Sequence, residues 1–557
     1  MDFKLFSTMI DNINSVKSID EKECYMLQRM ASGRIALLFF AIFSLLLLSA
    51  CGDKNANTDS SAERGDGPKS VAIALGHGLD YLGVNPYEDG RENTVLRTVL
   101  FEPLVLETET GVFEGALAES WDVDETGTKW TFHLRKNIKF HDGTDFTSKA
   151  VKAAFEHYMA DRQLAQRLGI AHITIPDDYT VEFTLKRPFA PFLNVVGSFQ
   201  CTIPSPTSFD EKGNFVEPIG TGPYKIKSHS KEQVEFVAND DYWRGKPKID
   251  NLTVVYIPDP QTTILALESG EVDLIGADGY GIPYSEIKRL QENKDFKVIE
   301  NPDSSSLEWV AFNMYKAPLN DKKVRQAINY ALDREEIAEY VYEGFATPAA
   351  GPIGFDDSIP WVDTSIKGYE HDPEKAKLLL AEAGWKEKSP EGYLMKDGQV
   401  LEVNFLIQSD RTWKPMGEII QNQLKEIGIK VNLEMRDNNL IRDLIKKGEF
   451  DLAGLGSLGK STADPYYYFQ YYFTTRGLGT VVKGNEKLDS LVSEVVTNIN
   501  QQERQAIYNG IQRELMEIVP GAFLVHPTKV TIMKKDIEGW EFAGTMDPLR
   551  YVYKLSR

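Results

Sequence analysis

Eight histidines, three cysteines and a dense tyrosine segment are the residues of this 557-residue chain whose chemistry has to be weighed first. His77, His133, His141, His157, His172, His229, His371 and His526 show no H-x-H, H-x-x-x-H or H-E-x-x-H spacing, so no preformed zinc site is expected. A serine hydrolase needs a Gly-x-Ser-x-Gly elbow to present its nucleophile. None occurs, and "GLGS" at Gly454–Ser457 lacks the arrangement. Cys201, in "GSFQCTIPSP", reads as a small buried filler rather than a nucleophile.

Cys51 is different. The apolar run Ile35–Ala50 is preceded by Arg29 and Arg34 and ends in Leu48-Ser49-Ala50-Cys51. Such a run is short for a membrane span, which needs about 20 apolar residues. Basic residues before it and small residues at its end are the layout of a secretory signal. The tetrad resembles a bacterial lipobox, in which the thiol takes a diacylglyceryl group and the chain is cut before it. Residues 1–50 then form the signal peptide, with Met26 or Met30 better starts than Met1. Residues 51–69 form a lipidated, flexible tether rich in Ser, Asp, Gly and Asn. The other reading is a transmembrane anchor with an incidental cysteine. With Cys24 in the removed segment, no disulfide framework is expected despite export.

The remaining elements have to position any binding group. Net charge is −21, and five acids balance five bases in the first fifty residues, so the acidity belongs to the mature body. That excludes nucleic acid as a partner, since its affinity rests on Lys and Arg. From Val71 short β-rich runs alternate with amphipathic helices. Helices are expected at Ser148–Met159, Pro260–Ser269, Lys322–Ala331, Pro373–Ala383 and Trp413–Ile427, with Lys487–Ile518 broken near Asn500. In the third, Val324, Ala327, Ile328, Ala331 and Leu332 share a face, with Lys322 and Arg325 outward. "LEVNFLIQSD", a helix and "IKVNLEM" make a parallel βαβ unit. In "GTGPY", Gly220 and Gly222 are expected to adopt backbone angles closed to other residues.

Several segments in order resemble the extracellular solute-binding proteins, family 5, of peptide and nickel ABC importers. They are "FEPLV" (Phe101–Val105), "LAESWDVDETGTKWTFHLRKNIKFHDGTDFTSKAVKAAFEHY" (Leu117–Tyr158), "PIGTGPYKI" (Pro218–Ile226), "NDDYWRGKPKIDNLTVVYIPDPQTTILALESGEVDLI" (Asn239–Ile275) and "VAFNMYKAPLNDKKVRQAINYALDREEI" (Val310–Ile337). The wording is nearest the nickel branch. The resemblance implies an α/β, two-lobed periplasmic-binding-protein-like fold (type II, cluster C) with an extra subdomain. Lobe I would span 70–304 including a subdomain at 116–210, lobe II 305–525, and 526–557 would return to lobe I.

The resemblance also implies a cleft. In "ADPYYYFQYYFTTRG" (Ala463–Gly477) the five tyrosines Tyr466, Tyr467, Tyr468, Tyr471 and Tyr472 cannot all face one core, and the family's cleft is lined by this segment. Arg476 resembles a cleft arginine, suited to reading a carboxylate with its fork; the other reading is a surface charge near a helix end. Tyr87 and Arg91 fall in a segment facing the cleft in relatives, and Arg162 matches a family arginine that touches ligand. Solvated surface is the alternative for each. Gly459 and Ala463 stand where the nickel branch often has Trp and Tyr. Trp413 is either an anchor for ligand or helix-start packing. The implied function is a membrane-tethered, extracytoplasmic receptor, monomeric and not an enzyme. It would deliver nickel, a metal chelate or a short peptide to ABC permease subunits, with no cofactor beyond such a ligand. The alternative is a secreted lipoprotein hydrolase acting on a small cell-envelope substrate.

Overall fold

The computed structural model describes residues 67–557 apart from 77–90, 110–111, 161–164, 166–167, 280–281, 302–305, 355–359, 410–411, 457–463 and 544–546, and the side chains of 91–95. The signal segment, Cys51, the tether up to Asp66, Tyr87, Arg162, Gly459 and Ala463 lie outside the described residues.

Two mixed sheets organise the chain. The seven-stranded one runs, in spatial order, Phe296–Asn301, Lys529–Lys534, Leu274–Ile275, Ser70–Leu75, Asn251–Tyr256, Gln233–Ala238 and Tyr224–His229. The six-stranded one runs Ala346–Pro348, Gly521–Pro527, Glu308–Phe312, Leu452–Gly456, Glu402–Gln408 and Lys430–Arg436. These sheets are the frameworks of two lobes, the α/β arrangement implied by the sequence. Ser70–Leu75 is parallel to both its neighbours, and Glu402–Gln408 is parallel to Lys430–Arg436 across the helix Trp413–Glu426, the expected βαβ unit. Strands covered on both faces read as continuous apolar runs, as in "FLI" and "LAGL".

A four-stranded antiparallel sheet (Ala118–Val123, Lys129–Leu134, Thr180–Leu185, Ile170–Asp177) forms the subdomain and packs on the helix Ser148–Tyr158. Its core is aromatic. Phe155 meets Phe183 edge-on at 4.7 Å, and Phe132 meets Phe183 at 5.6 Å. Cys201 is buried in the same core.

Helix boundaries follow cap chemistry. Asp259, Asp321 and Asp372 each accept an amide from the first turn of the helices Pro260–Ser269, Lys322–Ala331 and Pro373–Glu382. The long C-terminal stretch divides into Glu486–Thr497 and Gln501–Ile518, and Asn500 caps the second by accepting from Gln502 and Glu503. Gly270 ends its helix in the left-handed conformation, φ 83°.

Two expectations fail here. Arg325 does not point outward: it is 7% exposed, and its guanidinium donates to the carbonyls of Val519, Leu319 and Ile518 at 2.8–3.0 Å. It serves as a C-terminal cap for the helix Gln501–Ile518, whose last carbonyls lack partners of their own. A helical wheel cannot see that demand. Gly220 and Gly222 do not adopt positive φ. They are required by close approach: a Cβ on Gly220 would lie 2.0 Å from the Leu100 carbonyl oxygen, and one on Gly222 2.5 Å from that of Val99. Trp413 settles as packing, 2% exposed against Phe405 in the lobe II core.

Candidate functional site

Strand direction locates the cleft. In the lobe I sheet the parallel strands end at Leu75 and Ile275. Lys529–Lys534, antiparallel to Leu274–Ile275, begins at that same end, and Phe296–Asn301, antiparallel in turn to Lys529–Lys534, finishes there at Asn301. In the lobe II sheet, Gly456 at the end of Leu452–Gly456 pairs with Glu308, which pairs with Val525. The chain passes between the sheets at two places, from Asn301 to Glu308 and from Pro527 to Lys529, so both sheets meet where their parallel strands finish. The carboxyl ends of parallel strands at a topological switch are where open α/β sheets bind ligands.

The junction is tightly bonded. Thr528 is the one residue between the strands Gly521–Pro527 and Lys529–Lys534. Its amide donates to Phe345 O of lobe II at 2.9 Å, and its carbonyl accepts from Tyr284 Oη of lobe I at 3.1 Å. Tyr284 also packs edge-on against Tyr342 at 5.1 Å. His526 is 1% exposed, and its Nδ1 donates to Ser306 O at 2.7 Å, so the proton sits on that nitrogen. Asp278, also 1% exposed, accepts the Gly76 amide at 3.1 Å. Gly456 leaves room for Glu308: a Cβ there would stand 3.1 Å from Oε2.

Two buried carboxylates, one in each lobe, hold neighbouring segments in place. Glu102 follows the helix Arg91–Leu100 and accepts from Thr221 Oγ1, Tyr242 Oη and Trp243 Nε1 at 2.8–2.9 Å. Burial pushes its carboxyl above the usual range, and the three donors oppose this only in part. Asp464 precedes the helix Tyr466–Phe473, accepts the Tyr466 amide at 3.0 Å, and is paired with Arg504 and the Tyr508 hydroxyl. Arg504 also lies over the Trp361 ring at 4.8 Å.

The tyrosine segment divides between two cores. Tyr468 and Tyr472 pack on Trp309 in lobe II, at 6.4 and 5.3 Å between ring centroids. Tyr467 packs against the subdomain core, and Tyr466 packs against both cores, edge-on to Phe189 of the subdomain at 6.3 Å. Tyr471 turns to Gly479, where a Cβ would meet its ring at 2.3 Å. Arg476 is exposed on the turn after this helix. Arg91 is the first residue of its helix, directly after 77–90. The structure therefore places Tyr467 and Arg476 on one helix and its following turn. Sequence reasoning missed Tyr284, Glu308, His526 and the Asp464–Arg504 pair. Only Asp464 had a readable signal, an Asp-Pro before an aromatic helix.

Among the described residues, no group of three or more His, Cys, Asp or Glu is placed to hold a metal ion, and no helix is long and apolar enough to cross a membrane. The fold is similar to NikA from Brucella suis, solved in complex with Fe(III)-EDTA, with TM-score 0.80 at 28% identity over 87% of this chain and 99% of that one. The chain is 28% identical over 459 residues to the probable D,D-dipeptide-binding periplasmic protein DdpA of Escherichia coli, covering 80% of this chain and 85% of that protein. It is 29% identical over 451 residues to the nickel-binding periplasmic protein of Escherichia coli, covering 78% and 84%. Residues 112–480 match the bacterial extracellular solute-binding proteins, family 5. With its two sheets joined at the ends of their parallel strands and a match over most of its length, this chain belongs to family 5 of the bacterial extracellular solute-binding proteins.

Proposed function

We propose that this protein is a monomeric receptor, tethered outside the cytoplasmic membrane by a lipid on Cys51, that captures a small ligand in the cleft and delivers it to ABC importer permease subunits. The observation that carries this reading is the double crossover, which aims the parallel-strand ends of two separate sheets at one junction. Two lobes joined there can swing about a hinge and bury a ligand between them.

The ligand class is a short peptide or a metal chelate, nickel included, carrying at least one carboxylate. Arg476, with Arg91 and Arg162, supplies positive charge to offset the protein's net −21, and Tyr87 and Tyr467 supply apolar wall. The chemistry asked of these residues is recognition, without bond breaking.

Native mass spectrometry of the purified protein tests the reading directly, by the mass of a co-purified ligand. Arg476 is exposed in the structure, and in this reading the bound ligand covers its guanidinium. Arg476→Ala should then cost about 2–5 kcal/mol of binding, the usual loss on truncating one partner of a buried charged contact, with the melting temperature of the empty protein nearly unchanged. Tight binding of bare Ni²⁺, indifferent to all three arginine changes, contradicts the carboxylate reading. Cys51→Ala should release the protein from membranes or leave unprocessed precursor, and a lipid-modified, membrane-bound variant contradicts the anchor.

A further inference from the structure

We infer that the subdomain and lobe II form a latch, made by residues outside the two chain crossovers, and that this latch holds the lobes together without ligand. The subdomain belongs to lobe I by its bonds. Ile203 N donates to Glu102 O at 2.9 Å, and His141 Nε2 is bonded to Gly222 O at 3.0 Å. The helices Tyr466–Phe473 and Glu486–Thr497 belong to lobe II, where Phe469, Phe473, Leu488, Val492 and Val495 are buried in its core. Yet the next residue, Val496, is 2% exposed within the subdomain core, and Tyr466 and Tyr467 pack on that core too.

Three further contacts join the same two surfaces. The Ala190 amide donates to Val496 O at 2.8 Å. Phe189 meets Tyr466 edge-on. Ile499 lies over Gly127, where a Cβ would stand 2.8 Å from Cγ2, so the glycine makes room for it. The helix Glu486–Thr497 is thus two-faced at its end, with Val495 committed to one lobe and Val496 inserted into the other. Opening the cleft has to pull Val496 out into water and part the Tyr466 ring from Phe189, while Tyr466 keeps its packing on the lobe II core. Full burial of one valine shifts such an equilibrium by roughly 10- to 100-fold. A receptor latched in this way spends most of its time closed before ligand arrives, and a competent closed state that is already populated raises apparent affinity.

The latch rests on the two-lobed receptor reading, but its test needs no ligand, so the two can fail separately. Protein stripped of co-purified ligand by unfolding and refolding is examined by small-angle scattering and by hydrogen exchange of the peptide carrying the Ala190 amide. In the wild type that amide should be protected. In Val496→Asp it should exchange roughly 10-fold faster or more, and the radius of gyration should rise, while far-ultraviolet circular dichroism and cooperative unfolding stay native. Should Val496→Asp not fold, Phe189→Ala provides the same comparison with a milder change. An unprotected Ala190 amide in the stripped wild type overturns the latch. So does an unchanged radius and unchanged protection in a folded variant.

Discussion

Glu102 in lobe I and Asp464 in lobe II are both buried carboxylates that fix a neighbouring segment, and they are satisfied in opposite ways. Glu102 accepts three hydrogen bonds from neutral groups, with Arg244 contributing charge from further off. Asp464 is bonded directly to the Arg504 guanidinium, which is itself 7% exposed. Burial lowers the Arg504 pKa, but the Asp464 carboxylate, together with the Tyr508 hydroxyl bonded to it, outweighs this and leaves the guanidinium above its usual value. A carboxylate held by neutral donors keeps most of its desolvation cost, which is why Glu102 is pushed up. A directly paired one exchanges that cost for dependence on its partner. The first arrangement tolerates loss of charge, and the second does not.

The contrast can be broken most forcefully at Arg504. Arg504→Ala leaves Asp464 buried without its counter-ion, held only by the Tyr466 amide and the Tyr508 hydroxyl, and should lower unfolding free energy by about 3–5 kcal/mol, read from the urea midpoint. A loss no larger than that of an average surface mutation would show that water reaches Asp464. Glu102→Ala comes next. It strands the Thr221, Tyr242 and Trp243 donors and should cost about 2–3 kcal/mol by the same measurement.

The smallest effect is the most discriminating. Glu102→Gln keeps an acceptor for Thr221 and Trp243 and can donate its amide to the Tyr242 hydroxyl, so it should cost less than about 1 kcal/mol near neutrality. The sign with pH follows from the raised pKa. The folded state favours the protonated form, so the contribution of Glu102 is fully present below the unfolded value of 4.5 and is lost as pH rises through the folded value. Urea midpoints should therefore move in favour of the Gln variant between pH 4 and pH 8. A difference that stays constant across that range would mean Glu102 is solvated.

Much of the architecture was legible along the chain because local chemistry dictates it. Asp before Lys322, Asp-Pro at 372–373 and Asn500 mark helix starts, since orphan amides need an acceptor wherever the helix sits. The βαβ unit at 402–436 was readable from apolar periodicity alone, because covering both faces of a parallel strand imposes it. The family resemblance was readable for the same reason. It consists of turn, cap and core residues in a fixed order, and family membership followed from it. The outward reading of Arg325 and the positive-φ reading of Gly220 and Gly222 failed because each depends on backbone from a distant segment, Ile518–Val519 and Val99–Leu100 respectively.

Local sequence thus determined the elements, their caps and the excess of aromatic surface at Tyr466–Tyr472. Only the tertiary structure decided how that surface divides, with Tyr468 and Tyr472 going to Trp309, Tyr467 to the subdomain and Tyr466 to both cores. It likewise separated Val495 from Val496, adjacent residues of one helix that serve different cores. Periodicity reports that a residue must be buried. Which core buries it depends on chain crossings at Asn301–Glu308 and Pro527–Lys529, hundreds of residues removed from some of the segments they bring together.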